Sequence, residues 1–439
     1  MTTPLDHTHD PAARSWIESA NSNGIDFPIQ NLPFGVFVRP DRLEATIGVA
    51  IGDFIFDLRP VANAGLFRSL DEEIRAACCD HTLNRVMSLS KPQRSLLRKR
   101  IFELLQASAE PEARSRAASF LVLASEAEML LPAAVGDYTD FYASIHHATN
   151  VGSMFRPDNA LLPNYTWVPI GYHGRASSLV VSGTKIRRPA GQIMPDGAAA
   201  PVYAPSRRLD YELEIGAYVA TSNSLGDPVP IAKAHDHLFG LSLVNDWSAR
   251  DIQAWEYQPL GPFLGKSFAT SLSPWVVTLE ALAPFRAAAT ARTEGPAPLP
   301  YLFDHNDQAF GALDLQLEVL LSTAAMRAQG LGPQRLSSGN FRDMYWTLAQ
   351  MLTHHASNGC NLRSGDLLAS GTVSGIAPES RGCLLELSWK GTKKILMPTG
   401  EQRTFLEDGD EVILRGWCEA PGRTRIGFGE CRGEVIASI

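Results

Sequence analysis

Short strand-like runs recur at 178–182, 210–220, 314–321, 383–389 and 410–417, with the alternation of apolar and polar residues plainest over 209–216. A period of two turns successive side chains to opposite faces, so a chain punctuated in this way builds sheets rather than helical layers. One good helix is expected among them, over about 340–356, after Ser337-Ser338-Gly339-Asn340 and stopped near Gly359. Residues 33–57 form a second set of short β-rich runs, suited to a small antiparallel sheet or barrel. Helices follow it. Ser69 with Glu72 gives a capping-box signal, Pro92 sits in a first turn ahead of Leu96, Leu97, Ile101, Leu104 and Leu105, and a third helix is expected over about 110–129. The fold class is therefore mostly β with a small N-terminal domain of strands and helices, and the boundary falls near 130, giving 1–130 and 131–439. Stretches 189–206 and 284–300 read as surface loops.

Within these runs LDYELEIG (209–216) is unusual, because Glu212 and Glu214, two apart on one strand, must face the same way. Either that face is solvated, the commoner case for a half-exposed sheet, or something positive lies against it. Asp140 and Asp246 also sit among aromatic and apolar neighbours, where an uncompensated carboxylate is costly to bury. If the four acids converge, any two about 4 Å apart repel by roughly 4 kcal/mol at an effective dielectric near 20, and a divalent cation reverses that sign. An all-oxygen set suits Ca²⁺ or Mg²⁺ rather than zinc.

Composition narrows the partners. The net charge of −8 offers no basic field for nucleic acid. The N-terminus lacks a basic segment leading into an apolar one, and no uninterrupted apolar stretch is long enough to span a bilayer, so a cytoplasmic protein with no membrane contact is expected. Six cysteines without a CxxC pair read as reduced, mostly buried thiols, and the Asn164-Tyr165-Thr166 sequon is inert in that setting. There is no G-x-S-x-G elbow, phosphate loop or H-E-x-x-H helix, which disfavours a serine hydrolase, an NTPase and a zincin. His146-His147 offers a general base, and on an extended segment only one of the two rings can face a site. Arg250, Gln253 and Lys266 crowd near Asp246 as possible oxyanion donors, while His235, His237, His354 and His355 read as structural.

The stretches DFYASIHHATNVG, PIGYHGRASS, LDYELE, NDWSARDIQAWEY, LGPFLGKSFAT, THHASNGCNLRSGDLLASGT and LELSWKGT, taken in order, closely resemble the fumarylacetoacetate hydrolase family, from about residue 33 to the C-terminus. The resemblance implies an N-terminal SH3-like domain, a C-terminal mixed β-sandwich roll and a homodimer. It also implies hydrolysis of a carbon–carbon bond in the diketo acid 4-fumarylacetoacetate, giving fumarate and acetoacetate, the last step of tyrosine and phenylalanine catabolism. By motif, Asp140, Glu212, Glu214 and Asp246 become Ca²⁺ ligands, and Asp246, Lys266 and Thr270 a second cation site assigned to Mg²⁺. His147 becomes the base and Glu386 its orienting carboxylate, and Arg250, Gln253 and Lys266 stabilise the oxyanion. Tyr142, Arg156, Tyr172, Gln253, Tyr257 and Thr372 match substrate contacts. His146 departs from the pattern, which has Gln there. The alternatives are a related hydrolase or decarboxylase acting on another 2-oxo or 1,3-dicarbonyl acid, and a non-catalytic metal-binding homodimer.

Overall fold

The computed structural model describes residues 4–292 and 295–439. Residues 33–57 form three antiparallel strands, β1 (Phe34–Val38), β2 (Ala45–Ile51) and β3 (Phe54–Asp57). Helix α1 (Lys91–Leu105) opens on a reciprocal Ser90–Gln93 capping box with Pro92 in its first turn, and it buries Leu97, Ile101, Leu104 and Leu105 at helical spacing. The Glu72–Ala77 helix begins near its expected start, but Asp71 rather than Ser69 holds the cap position and no side chain bonds there.

The helix expected over 110–129 is shorter. α2 (Pro111–Ala118) stops, and β4 (Leu121–Leu123) and β5 (Glu128–Leu130) pair with β3 and β1, completing a five-stranded sheet in the order β4-β3-β2-β1-β5. Closing both edges of the sheet outweighs the weak local preference for helix.

The chain then supplies β6 (Tyr138–Phe141), α3 (Ile145–Phe155), β7 (Gly171–His173) and β8 (Leu179–Val181). β9 (Leu213–Val219), β10 (Leu238–Asp246), α4 (Arg250–Glu256) and β11 (Thr270–Leu272) follow. Next come β12 (Gln316–Ser322), β13 (Gln334–Asn340), α5 (Leu348–Ala356) and β14 (Leu367–Ala369). The last elements are α6 (Leu384–Leu387), β15 (Glu411–Cys418) and β16 (Ile426–Ile436).

The large mixed sheet runs β7-β6-β14-β9-β10-β11-β8, and a second sheet contains β13-β12-β15-β16. β9 is buried along its whole length. Its Leu213, Ile215, Ala217 and Val219 join one core with Leu241 and Leu243, while Tyr218 joins the other with Val244, Leu272 and Leu367. Both faces are covered, so the solvated reading of the Glu212–Glu214 face is excluded: the two residues are 5% and 0% exposed.

Three further expectations are corrected. The helix predicted from about 340 begins at Leu348, because Thr347 with Gln350 forms the capping box and residues 334–340 are claimed by pairing with β12. The run at 383–389 is the helical turn α6, not a strand. The stretch 189–206 is largely a hairpin, with Ala190–Ile193 against Val202–Pro205, rather than an open loop. Of the loop expected over 284–300, residues 293 and 294 lie outside those described, and Arg286–Ala287 pairs with Ala312–Leu313. No helix among the described residues is long and apolar enough to cross a membrane.

Candidate active site

Strand register brings the acids together. In the large sheet Asp140 on β6 lies opposite Tyr172 on β7 and beside Ala369 of β14, and Asp246 at the end of β10 lies opposite Thr270 on β11. Glu214 on β9 pairs in register with Val244, two residues before Asp246. Carboxylate oxygens of Asp140, Glu214 and Asp246 consequently lie within 4.8 Å of one another, and all three residues are buried.

Their hydrogen bonds cover only part of the cluster. Tyr172 Oη lies 3.0 Å from Asp140 Oδ2 and 2.7 Å from Asp246 Oδ2, but its single proton serves one of them at a time. Thr270 donates to Asp246 Oδ1 at 3.0 Å. The Gly371 amide lies 3.1 Å from both Asp140 Oδ1 and Glu214 Oε2. Gly371 has φ of +75°, and a Cβ there would lie 2.2 Å from the Phe141 carbonyl oxygen, so glycine is required for the amide to reach the acids. Glu214 Oε1 is buried with no partner. Burial, and then the neighbouring Asp246 for Asp140 and Asp140 for Glu214, push both carboxyl groups well above their ordinary range. An orphaned carboxylate oxygen among three crowded acids, with no nitrogen or sulfur donor in the set, fits a hard divalent cation.

Glu212 does not join that triad. It precedes β9, and its carboxylate accepts from Arg250 Nη2 at 2.8 Å and from Lys266 Nζ. Lys266 also contacts Asp246. Burial alone would raise Glu212, but Arg250 and Lys266 more than offset it and hold the group well below the usual carboxylate range. The positive groups that answer the Glu212–Glu214 face are thus Arg250 and Lys266. Both cations are held charged: burial opposes this, but Glu212 and Asp210 raise Arg250, and Asp246 and Glu212 raise Lys266.

His146 and His147 lie on α3, not on an extended segment, because Ser144 caps the helix by accepting from the His147 amide. His147 is buried, and its Nδ1 lies 2.6 Å from Glu386 Oε2 on α6. Glu386 also accepts from Asn150 Nδ2 at 2.8 Å and Ser374 Oγ at 2.8 Å. Burial would raise Glu386, yet His147 and these donors bring it down to about 2. With Nδ1–H donating to an ionised Glu386, the lone pair of the ring falls on Nε2, which lies 3.7 Å from Glu212 Oε1. Tyr142 packs edge-on against His147 with ring centroids 5.2 Å apart.

Gln253 Oε1 accepts from Arg250 Nη1 at 3.3 Å, so the two donors of α4 are joined. Thr372 is buried beside Gly371. Arg156 and Tyr257 are exposed and are not drawn into the buried cluster: Arg156 ends α3 and donates to the Ala160 carbonyl, and Tyr257 caps the end of α4. His235 pairs with Asp307, and His354 and His355 bond Tyr301 and Thr139, apart from the acids. Cys383 is buried against Glu386, which with burial pushes its thiol up and leaves no thiolate nucleophile.

Three site residues escaped sequence reasoning. Asn150 lies inside a quoted motif and Ser374 two residues beyond one, but only the fold points them at Glu386. Asp210 is two residues before Glu212, and the same alternation that singled out the two glutamates could have found it.

Residues 30–132 match the family described as "Fumarylacetoacetase N-terminal" and residues 137–436 match "Fumarylacetoacetate (FAA) hydrolase C-terminal". The chain belongs to the fumarylacetoacetate hydrolase family. It is 52% identical over 421 residues to the fumarylacetoacetase of Rattus norvegicus, covering 94% of this chain and 97% of that protein. It is 48% identical over 417 residues to the fumarylacetoacetase of Arabidopsis thaliana, with 94% and 96% covered. A solved fumarylacetoacetate hydrolase from Exiguobacterium antarcticum matches with a TM-score of 0.50 at 17% identity, over 92% of this chain and 99% of that one, and shares the fold.

Proposed function

We propose that this enzyme hydrolyses the carbon–carbon bond of 4-fumarylacetoacetate to fumarate and acetoacetate, the closing step of tyrosine and phenylalanine catabolism. The observation that carries the reading is the buried His147–Glu386 pair standing 3.7 Å from Glu212, beside the acid cluster, in a chain about half identical to named fumarylacetoacetases over nearly its full length.

Asp140, Glu214 and Asp246 would hold a hard divalent cation, with Glu212 released from Lys266 to complete the set, and such an ion would supply charge compensation for a β-diketone substrate and its enolate. Ca²⁺ is the proposed ion there, and Mg²⁺ the proposed ion beside Asp246, Lys266 and Thr270. His147 Nε2 takes a proton from water as the water oxygen bonds to the substrate's carbonyl carbon, and Glu386 stabilises the imidazolium that results. Arg250, Lys266 and the Gln253 amide stand ready as donors to the tetrahedral alkoxide, contacts typically worth about 3 to 4 kcal/mol each. Collapse breaks the carbon–carbon bond, and acetoacetate leaves as its enolate. Tyr142, Tyr172 and Thr372 are the proposed inner substrate contacts, and Arg156 and Tyr257 outer ones that meet substrate only if their loops close over it. A homodimer, a cytoplasmic location and the division into 1–130 and 131–439 belong to the same reading. The division is supported by the two family matches, which leave only residues 133–136 between them.

Proton NMR of a reaction mixture tests the assignment: fumarate and acetoacetate should appear in equal amounts from 4-fumarylacetoacetate. Turnover confined to another 2-oxo or 1,3-dicarbonyl acid would transfer the reading to a sister reaction of the family.

A further inference from the structure

Asp210 is fully buried, and neither the acid cluster nor the His147–Glu386 pair includes it. Its two oxygens accept four donors. Oδ1 takes the amides of Tyr211 at 2.9 Å and Leu384 at 2.8 Å, and Oδ2 takes the Leu385 amide at 2.9 Å and Arg250 Nε at 3.0 Å. Leu384 and Leu385 are the first two residues of α6, the turn that carries Glu386, and no side chain of the preceding Cys383 caps that turn. Asp210, distant in sequence, does so instead. The same carboxylate forms an ion pair with Arg250, whose Nη2 lies 2.9 Å from Oδ2 and donates to Glu212.

One side chain therefore ties together the two halves of the machinery: the turn that aims Glu386 at His147, and the guanidinium that reaches Glu212 and Gln253. We propose that Asp210 is a positioning residue that sets the base and the oxyanion donor in mutual register. The inference rests on the functional reading above and adds a residue that touches no reacting atom.

Asp210→Asn keeps the shape but replaces one acceptor with an amide that faces donors on every side, so either α6 or Arg250 must shift. A displacement of about 1 Å at such a group can cost about a hundredfold in rate. Asp410 supplies a matched control, being equally buried, bonded to Arg403 Nε at 2.9 Å and to the Glu407 amide at 2.9 Å, on contacts that include none of the acid cluster, His147 or Glu386. The test compares wild type, D210N and D410N for kcat and KM on 4-fumarylacetoacetate, and for the low-field proton resonance expected of the His147–Glu386 hydrogen bond. D210N should lower kcat about ten- to a hundredfold with a smaller change in KM and move that resonance upfield, whereas D410N should lose thermal stability and keep both. Should D210N fail to fold, Asp210→Ser, which leaves an oxygen for the α6 amides and no charge for Arg250, carries the same comparison. An active wild type in which the Asp210 variant keeps kcat and the resonance, or loses no more kcat than D410N, overturns the proposal. An inactive wild type overturns the functional reading instead, and the resonance then still decides whether Asp210 positions Glu386.

Discussion

Replacing Glu214 by Gln should move two properties in opposite directions. Asp140, Glu214 and Asp246 offer oxygens within 4.8 Å of one another, and at an effective dielectric near 20 each ionised pair at that separation repels by about 3.5 kcal/mol. Without metal, Glu214 takes part in two of the three pairs, and burial with this repulsion is what raises its affinity for protons, so the cost falls on its ionised form. An amide carries no charge and escapes that cost. It can keep its carbonyl toward the Gly371 amide and place its NH₂ at the unpartnered Oε1 position, where it can donate to a neighbouring carboxylate. The chelated variant should therefore melt no lower than chelated wild type, and higher at pH 8, where wild type has most charge to suppress. With Ca²⁺ the order reverses, because the variant has lost one unit of ligand charge, and its affinity should fall at least about tenfold, or roughly 1.4 kcal/mol. Calorimetric titration measures the affinity, and scanning calorimetry with and without chelator measures the stability. Unchanged Ca²⁺ affinity would remove Glu214 from the metal shell, and a chelated variant several degrees less stable than wild type would refute the electrostatic account.

His147→Ala should lower kcat at least about a hundredfold while leaving Ca²⁺ binding in place, and His146→Ala, on the same helix but outside the Glu386 contact, should keep most activity; the reverse pattern in steady-state assays would reassign the base. Asp140 and Glu214 have raised folded-state pKa values, so their contribution to the stability of chelated protein is complete below about pH 4 and is lost as pH rises through the raised values. Glu386, lowered to about 2, works the other way, and its contribution is lost as pH falls from about 4 toward 2. Chelated wild type should accordingly gain stability in denaturant titrations from pH 8 to 5, and saturating Ca²⁺ should flatten that slope. Gly371→Ala should destabilise the fold by a few kcal/mol and weaken Ca²⁺ binding together, since its Cβ cannot coexist with the Phe141 carbonyl at 2.2 Å; a variant with wild-type melting would show that the Gly371 turn is not required.

The sheets were legible where alternation was strong, as in 209–216, because period two survives whatever packs on it. The misreadings share one cause. The short β-pairing partners at 121–123 and 128–130 have no pattern long enough to outvote helix propensity, and only the waiting edges of β3 and β1 make them strands. The run at 383–389 alternates like a strand, yet the distant Asp210 caps its first turn and winds it into α6. The acids were visible as acids, but whether Glu212 faces metal or cations depends on Lys266 and Arg250 arriving from beyond β10, which no local window contains. His147 was separable from His146 only by motif, since the helix that orients them is set by Ser144 and by packing on α6.

The most direct test of the account is the rate of loss of 4-fumarylacetoacetate absorbance by the purified full-length protein as isolated, after chelation, and after adding back Ca²⁺ or Mg²⁺. Activity that disappears on chelation and returns with a hard divalent ion, with Ca²⁺ at least as effective as Mg²⁺, is the predicted result. Undiminished turnover in chelated protein, with no ion detectable by elemental analysis, would contradict it.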